Sequence, residues 1–179
     1  MALLAVFAGL PGSGKSVLAR GTADAIGATY LRIDSIESAI VSTLMPYRDN
    51  PVGYVVAGRV AADQIGAGRD VVADAVNGVA AAREGWAALA ERTGAVLRFV
   101  EVRCSDVSEH RRRVETREPE MPGQGVPTWE QVLRRRYEPW PPESPARIAV
   151  DNIGDAAAHV AQIVSELPAQ TSAGGGLSS

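Results

Sequence analysis

Residues 9 to 16 read Gly-Leu-Pro-Gly-Ser-Gly-Lys-Ser, and no other stretch constrains the fold as strongly. The spacing matches the phosphate-binding loop pattern, in which a glycine, four free positions and Gly-Lys-Ser/Thr follow one another. Glycines at these places let successive backbone N–H groups turn inward and form an anion site. The pattern therefore predicts a nucleotide-binding loop made of Gly9, Leu10, Pro11, Gly12, Ser13, Gly14, Lys15, Ser16 and Val17.

The sequence on either side of this loop has the order that a phosphate-binding loop requires. Residues 3 to 8 form a continuous apolar run, typical of a strand buried on both faces, and an amphipathic helical pattern follows the loop up to Gly27. Lys15 is the only lysine in the chain, and it stands where a compact ammonium suits phosphate better than a guanidinium does. We expect Lys15 to contact the β- and γ-phosphates of ATP and the Ser16 hydroxyl to ligate Mg²⁺.

Length, charge and cysteine content limit the class of protein. A chain of 179 residues suits one domain, and a net charge of −3 argues against general affinity for nucleic acid or for a membrane surface. No apolar stretch reaches the roughly 18 residues that a membrane span needs. Cys104 is the single cysteine, so no disulfide forms within the chain, and we expect a cytoplasmic protein with a buried thiol.

Apolar strands alternate with amphipathic helices along the chain. Strand patterns occur at 3–8, 29–33, 70–73, 96–102 and 147–150, and helical patterns lie between them. This alternation predicts an α/β protein, a three-layer α/β/α P-loop NTPase fold with a five-stranded parallel sheet. We expect one domain over 1–167, a lid at about 111–127 where prolines and glycines accumulate, and a disordered tail at 168–179.

Several classes of phosphate-loop protein are excluded by the residues themselves. The Asn-Lys-x-Asp guanine motif cannot occur because the only lysine lies in the loop, and the Ser-Gly-Gly signature of transporter ATPases is absent. A motor ATPase would need a further helical domain for which the chain has no room. These exclusions leave a compact kinase that moves the γ-phosphoryl group of ATP to a small acceptor.

The chain resembles the small phosphate-loop kinases grouped with chloramphenicol phosphotransferase, zeta toxins, gluconate kinase and adenylylsulfate kinase. More closely, it resembles bacterial zeta-toxin-like and AAA-family proteins. The residues that carry the resemblance, which covers about 2–165, are the loop itself, Arg32-Ile33-Asp34-Ser35, Val71-Val72-Ala73-Asp74, the basic stretch 110–117 and Pro127-Thr128-Trp129.

This resemblance implies a nucleoside monophosphate kinase-like fold and ATP-dependent transfer to a hydroxyl of an antibiotic, a nucleoside or a sugar-like natural product. A resistance phosphotransferase is one form of that activity. The alternatives are an adenylylsulfate or gluconate-type metabolic kinase and a non-catalytic ATP-binding regulator. Adenylylsulfate kinases usually carry Asp-Gly-Asp after the second strand, and Arg32-Ile33-Asp34 differs from that pattern.

Two carboxylates follow predicted strands and are candidates for the chemistry. In the kinases that the chain resembles, a carboxylate just after the second strand takes the proton of the acceptor hydroxyl, which assigns Asp34 as the general base. The alternative is that Asp34 only caps the next helix, although Ser35 can also do so. Asp74 ends the third strand and is expected either to support Mg²⁺ or to bind the acceptor.

Arginines at the start of the predicted lid are candidates for the transferred phosphoryl group. Arg113 and Arg117 are four residues apart on one helix face, so both could reach that group and act catalytically. The alternative is a solvated basic helix paired with Glu109, Glu115 and Glu118.

The acceptor pocket is predicted from polar and aromatic residues near the same strand ends. Besides Asp34 and Asp74, these residues are Arg48, Tyr54, Asn77 and Arg83. Core packing is the alternative for Tyr54, and a turn role is the alternative for Asn77, which precedes Gly78. The expected partner is a small molecule with a hydroxyl group, and a homodimer is left open.

Overall fold

A computed structural model describes residues 1–43, 51–122, 125–141 and 147–168. The strands are β1 (Leu3–Ala8), β2 (Thr29–Arg32), β3 (Val71–Asp74), β4 (Val96–Arg103) and β5 (Arg147–Asp151). The helices are α1 (Lys15–Ile26), α2 (Ile33–Thr43), α3 (Val52–Gly66), α4 (Ala80–Thr93), α5 (Val107–Glu115), α6 (Trp129–Arg134) and α7 (Ala156–Glu166).

All five strands pair in parallel, in the order β2-β3-β1-β4-β5. The predicted five-stranded parallel sheet is confirmed. Strand β1 lies at its centre and is fully buried along its length, as its unbroken apolar run requires. The loop after β1 therefore emerges at the carboxyl edge of the sheet, between the ends of β3 and β4, where ligands of such sheets bind.

Two apolar cores cover the two faces of the sheet. One joins Phe7 and Val100 to α1 and α7, and the other joins Val6 and Phe99 to α3 and α4. Neighbouring strand residues point to opposite faces, so β1 contributes to both cores. Helices on both sides of one sheet make the predicted three-layer α/β/α arrangement.

Two predicted boundaries differ from the structure. Strand β2 ends at Arg32 and α2 begins at Ile33, so Asp34 lies in the first turn of the helix rather than at the end of the strand. The four-residue spacing of Trp129, Leu133 and Tyr137 predicts a helix that reaches Tyr137. This prediction is wrong, because α6 already ends at Arg134 and extended backbone follows.

Other predictions concern segments with less regular structure. No helix or strand occurs in 117–122 or 125–127, as the prolines there predict.

Cys104 is buried as expected, and burial raises the pKa of its thiol. No helix of the described part of the chain is both long enough and apolar enough to cross a membrane. The predicted disordered tail lies outside the described residues apart from Pro168.

Candidate active site

The phosphate-binding loop joins β1 to α1 and has the backbone that its glycines allow. Gly12 and Gly14 have φ angles of 82° and 83°, in the left-handed region that side chains disfavour. A Cβ atom on Gly12 would lie 2.5 Å from Val114 Cγ2, and one on Gly14 would collide with the Asn152 side-chain amide. Only glycine fits at these two positions, which explains their place in the pattern.

Two side chains from distant parts of the chain hold the outer side of this loop. Asn152, just after β5, donates a hydrogen bond from Nδ2 to the Ser13 carbonyl oxygen at 2.9 Å. His110 on α5 lies 2.8 Å from the Pro11 carbonyl oxygen through Nε2, and its ring meets Trp129 edge to face. A carbonyl oxygen only accepts, so His110 donates from Nε2. No sequence pattern predicted this contact between His110 and the loop.

We expect His110→Ala to weaken nucleotide binding. A buried hydrogen bond contributes about 1 kcal/mol, so the Kd for ATP should rise roughly fivefold or more, with a smaller loss for His110→Gln, which retains an N–H donor. Calorimetric titration with ATP, beside thermal denaturation, measures both effects. Unchanged ATP affinity in a folded His110→Ala variant would show that the loop keeps its shape without this contact.

Lys15 and Asp74 form the buried centre of the site. Their side chains are 5% and 2% exposed, and Lys15 Nζ lies 4.0 Å from Asp74 Oδ1. Tyr30 donates a hydrogen bond from its hydroxyl to Asp74 Oδ2 at 2.7 Å, and this contact fixes the orientation of the carboxylate. Burial, followed by the negative charge of Asp74, raises the pKa of Tyr30, so the phenol keeps the proton it donates.

Two buried oxygen atoms of the site accept or donate no hydrogen bond among the described residues. These atoms are Asp74 Oδ1 and Ser13 Oγ. A buried oxygen without a hydrogen bond is costly, which favours a bound cation beside the Asp74 carboxylate and a hydrogen-bond acceptor such as phosphate beside the Ser13 hydroxyl. Asp74 with the Ser16 hydroxyl is an oxygen donor set of the kind that Mg²⁺ takes beside phosphates. No group of three His, Cys, Asp or Glu side chains suited to a metal occurs in the part of the chain that the structure describes.

A cleft of about 230 Å³ opens beside Lys15. Its walls come from the phosphate-binding loop, from α2, from the lid segment and from the end of α6. The charged residues that line it are Lys15, Asp34, Glu37, Arg117 and Arg135, and the remaining lining is Pro11, Ser38, Val41, Val76, Gly125 and Pro127. The cleft thus unites Lys15 with Asp34 and one lid arginine, as the sequence predicted, and adds Arg135.

The lid segment lies against β2 and α2. Arg32, which is buried, donates two hydrogen bonds to the carboxylate of Glu120, at 2.7 and 3.3 Å. Ser38 donates to the Pro122 carbonyl oxygen at 2.5 Å, and Arg117 also pairs with Glu120 at 3.3 Å. The Arg32 hydrogen bonds lower the pKa of Glu120. These contacts hold the segment over the cleft.

We expect Glu120→Gln to loosen this segment, because it removes the charge that balances the buried Arg32 guanidinium. Deuterium exchange of the amides at 117–122 should become severalfold faster. Glu118→Gln is the matched control, since Glu118 is an exposed carboxylate of the same segment. Equal exchange in the two variants would contradict the role of the Arg32–Glu120 pair.

The two predicted phosphate-binding arginines diverge in the structure. Arg113 donates to Glu109 and to the Asn152 carbonyl oxygen, at 2.7 and 3.0 Å, and its guanidinium lies against Gly14. Arg117 follows the end of α5 and lines the cleft. Arg111 and Arg112 pair with Glu115 and Glu109 on the exposed face, as a solvated basic helix would.

Comparison with known protein families identifies a family for most of this chain. Residues 4–139 match the model of a family described as an AAA domain. The chain belongs to that AAA domain family. Among curated proteins, none matches the sequence.

Solved structures share the fold of this AAA domain at low sequence identity. A candidate kinase from Chloroflexus aurantiacus is 17% identical with a TM-score of 0.71, covering 93% of this chain and 99% of its own. A gluconokinase from Sinorhizobium meliloti is 21% identical (TM-score 0.59, 92% and 88% covered). The adenylylsulfate (APS) kinase of Mycobacterium tuberculosis, in complex with AMPPNP and APS, is 15% identical (TM-score 0.60, 92% and 96% covered). The predicted P-loop kinase fold is confirmed.

The predicted acceptor residues of this AAA domain lie in different surroundings. Asn77 is fully buried, donates from Nδ2 to the Phe7 carbonyl oxygen at 2.7 Å and accepts from Trp86 Nε1 at 3.0 Å. Its φ of 47° is the left-handed conformation of a turn residue, so these contacts favour the turn role. The Tyr54 hydroxyl accepts a long hydrogen bond, 3.4 Å, from the Asn77 backbone N–H.

Arg83 and Arg48 complete the predicted acceptor set. Arg83 is buried, donates to the carbonyl oxygens of Glu138 and Pro139, and lies 4.3 Å from the centre of the Trp140 ring. These contacts tie α4 of the AAA domain to the segment after α6, and Arg83 does not line the cleft. Arg48 lies outside the described residues.

Proposed function

We propose that this AAA domain is an ATP-dependent kinase that transfers the γ-phosphoryl group to a hydroxyl of a small molecule. The observation that carries the proposal is the cleft in which the phosphate-loop Lys15 and the carboxylate of Asp34 face one space, beside Arg117. A nucleotide-binding protein that only senses ATP has no need of a proton acceptor beside the γ-phosphate. A phosphotransferase does need one.

The cleft residues divide the chemistry between them. Asp34 accepts the proton of the acceptor hydroxyl while the hydroxyl oxygen attacks the γ-phosphorus in line. The bond from the γ-phosphorus to the β,γ-bridging oxygen then breaks, and ADP is released. Lys15 balances the charge on the phosphate oxygens, and Arg117 stabilises the charge that develops during transfer. Arg113 lies against Gly14 beside Asn152 and does not line the cleft, so its guanidinium supports the loop from the side that Asn152 holds.

Asp74 and Ser16 are the residues that would hold Mg²⁺. Asp74 Oδ1 accepts no hydrogen bond and lies 4.0 Å from Lys15 Nζ, which supports this assignment over acceptor binding, because Tyr30 already occupies the other carboxylate oxygen. The ion supplies neutralisation of the phosphate charges when it is bound. Tyr30 keeps the Asp74 carboxylate turned toward Lys15 before any ion arrives.

The acceptor is a small hydroxyl compound in the cytoplasm, in keeping with a cleft of about 230 Å³. Antibiotics, nucleosides and sugar-like natural products all offer such a hydroxyl. Gluconate-type and adenylylsulfate-type kinases share the fold, and Asp34 serves equally for those acceptors. We place the kinase domain at 1–167 with its lid at about 111–127.

A panel of acceptors tests the proposal. We expect ADP release from ATP to rise by at least about tenfold with one class of hydroxyl compound, because a bound acceptor completes the reacting geometry. A coupled ADP assay with sugars, sugar acids, nucleosides and aminoglycoside or phenicol antibiotics measures this rise. A regulator would also bind ATP, but its ADP release would stay equally slow with every compound of the panel.

A further inference from the structure

Arg135 is the cation of the cleft that the proposed chemistry does not use. It follows the last turn of α6, and its backbone is fixed on both sides. The side chains of Thr128 and Gln131 form a reciprocal capping box at the start of α6, and Val132 is buried. Beyond Arg135, the Glu138 backbone N–H donates to the Gly78 carbonyl oxygen at 2.7 Å. The point from which the Arg135 side chain departs is therefore well fixed.

The other two cations that line the cleft, Lys15 and Arg117, already have partners. Lys15 lies beside Asp74, Arg117 pairs with Glu120, and Arg136 pairs with Glu138 at 2.6 Å. The Arg135 backbone N–H donates to the Val132 carbonyl oxygen, but its guanidinium makes no hydrogen bond or ion pair within the ranges that the structure describes. It is thus a positive charge that lines the cleft and remains available to a ligand.

The charge pattern of the cleft gives Arg135 a specific use. Asp34 and Glu37 make the α2 wall acidic, and that wall repels an anionic acceptor unless a cation compensates. A guanidinium binds carboxylate or phosphate through two parallel hydrogen bonds, a geometry that also fixes orientation. Such an anchor would turn the acceptor hydroxyl toward Asp34.

We propose that Arg135 selects acceptors that carry an anionic group, a carboxylate or a phosphate, in addition to the hydroxyl. This inference rests on the proposed kinase function. The anionic group binds the Arg135 guanidinium, and the hydroxyl faces Asp34. Arg135 is then a specificity-determining residue of the acceptor site. Hydroxy acids and sugar phosphates are the two sources of this chemistry.

Matched pairs of probes test this assignment. Gluconate is compared with sorbitol, and glycerol 3-phosphate with glycerol, by calorimetric titration into protein loaded with AMPPNP. Hydrogen bonds to a charged group are about twice as strong as neutral ones, so one anionic probe should bind at least about tenfold more tightly than its neutral match. The preference should disappear in Arg135→Gln and persist in Arg134→Gln, a neighbouring exposed arginine that does not line the cleft.

The outcomes separate this inference from the kinase function. No preference for either anion, or a preference that survives Arg135→Gln, overturns the role of Arg135, even where neutral acceptors are phosphorylated. An equal loss of turnover on charged and neutral acceptors in Arg135→Gln also overturns it, because Arg135 would then act on the transferred phosphoryl group. Arg135-dependent binding of an anion without product formation overturns the kinase function alone.

Discussion

Lys15→Ala is expected to abolish nucleotide turnover while the fold persists. The buried ammonium is the only lysine charge in the molecule, and it lies where the phosphates are expected to bind. Removing it takes away charge stabilisation in a water-poor site, where the loss of one such group costs at least about a thousandfold in rate. The acceptor-stimulated ADP assay measures the rate, and thermal denaturation confirms the fold.

Lys15→Arg sharpens this experiment because it keeps the charge and changes its shape. The Lys15 side chain is 5% exposed, so the larger guanidinium does not fit in the space that the loop encloses. We therefore expect a loss of turnover nearly as large as that in Lys15→Ala. Turnover near the wild-type rate in Lys15→Ala would contradict the phosphate-binding role of residues 9–17.

Asp34→Asn is expected to separate binding from transfer. Asparagine keeps the size and polarity of the residue but cannot take a proton at neutral pH, so transfer should fall by about 10²- to 10⁴-fold. In the proposed reaction Asp34 contacts the acceptor rather than ATP, so ATP affinity should change by no more than about threefold. A small gain is expected, because a negative charge near the γ-phosphate is removed. Product formation and ATP titration measure the two effects.

Two further variants distinguish the base from the metal-supporting carboxylate. Asp34→Glu retains a carboxylate and should recover part of the transfer rate, whereas Asp74→Asn should raise the Mg²⁺ concentration needed for half-maximal turnover. A loss of both ATP affinity and fold in Asp34→Asn would identify Asp34 as a helix residue with a structural role, since it lies in the first turn of α2.

The fold could be predicted because its signals are local. An apolar run before Gly9, a glycine-rich loop and a helical pattern after Lys15 identify the β1–loop–α1 unit from neighbouring residues alone. The right-handed parallel connections of such units then determine which strand ends meet at one edge. By this reasoning Lys15 and Asp74 meet at one edge, and their side chains lie 4.0 Å apart. Asp34 lies past the end of β2, in the first turn of α2.

The details of the site depend on contacts between residues distant in sequence. Asn152 meets Ser13 across 139 positions, and Arg32 meets Glu120 across 88, so no local pattern marks either pair. Asn77 satisfied the composition of an acceptor pocket, but its side chain lies in the core. Arg135 was one of three successive arginines, and only the extended backbone after α6 determines which of them lines the cleft.

The fate of the γ-phosphoryl group tests the central claim most directly. ATP labelled with ³²P at the γ-position is incubated with the best acceptor of the panel, and the products are separated chromatographically and identified by mass spectrometry. The kinase account predicts one labelled phosphate ester for each ADP formed, with the ester absent in Asp34→Asn. Label that appears only as inorganic phosphate, or that remains in ATP with every acceptor, would contradict it.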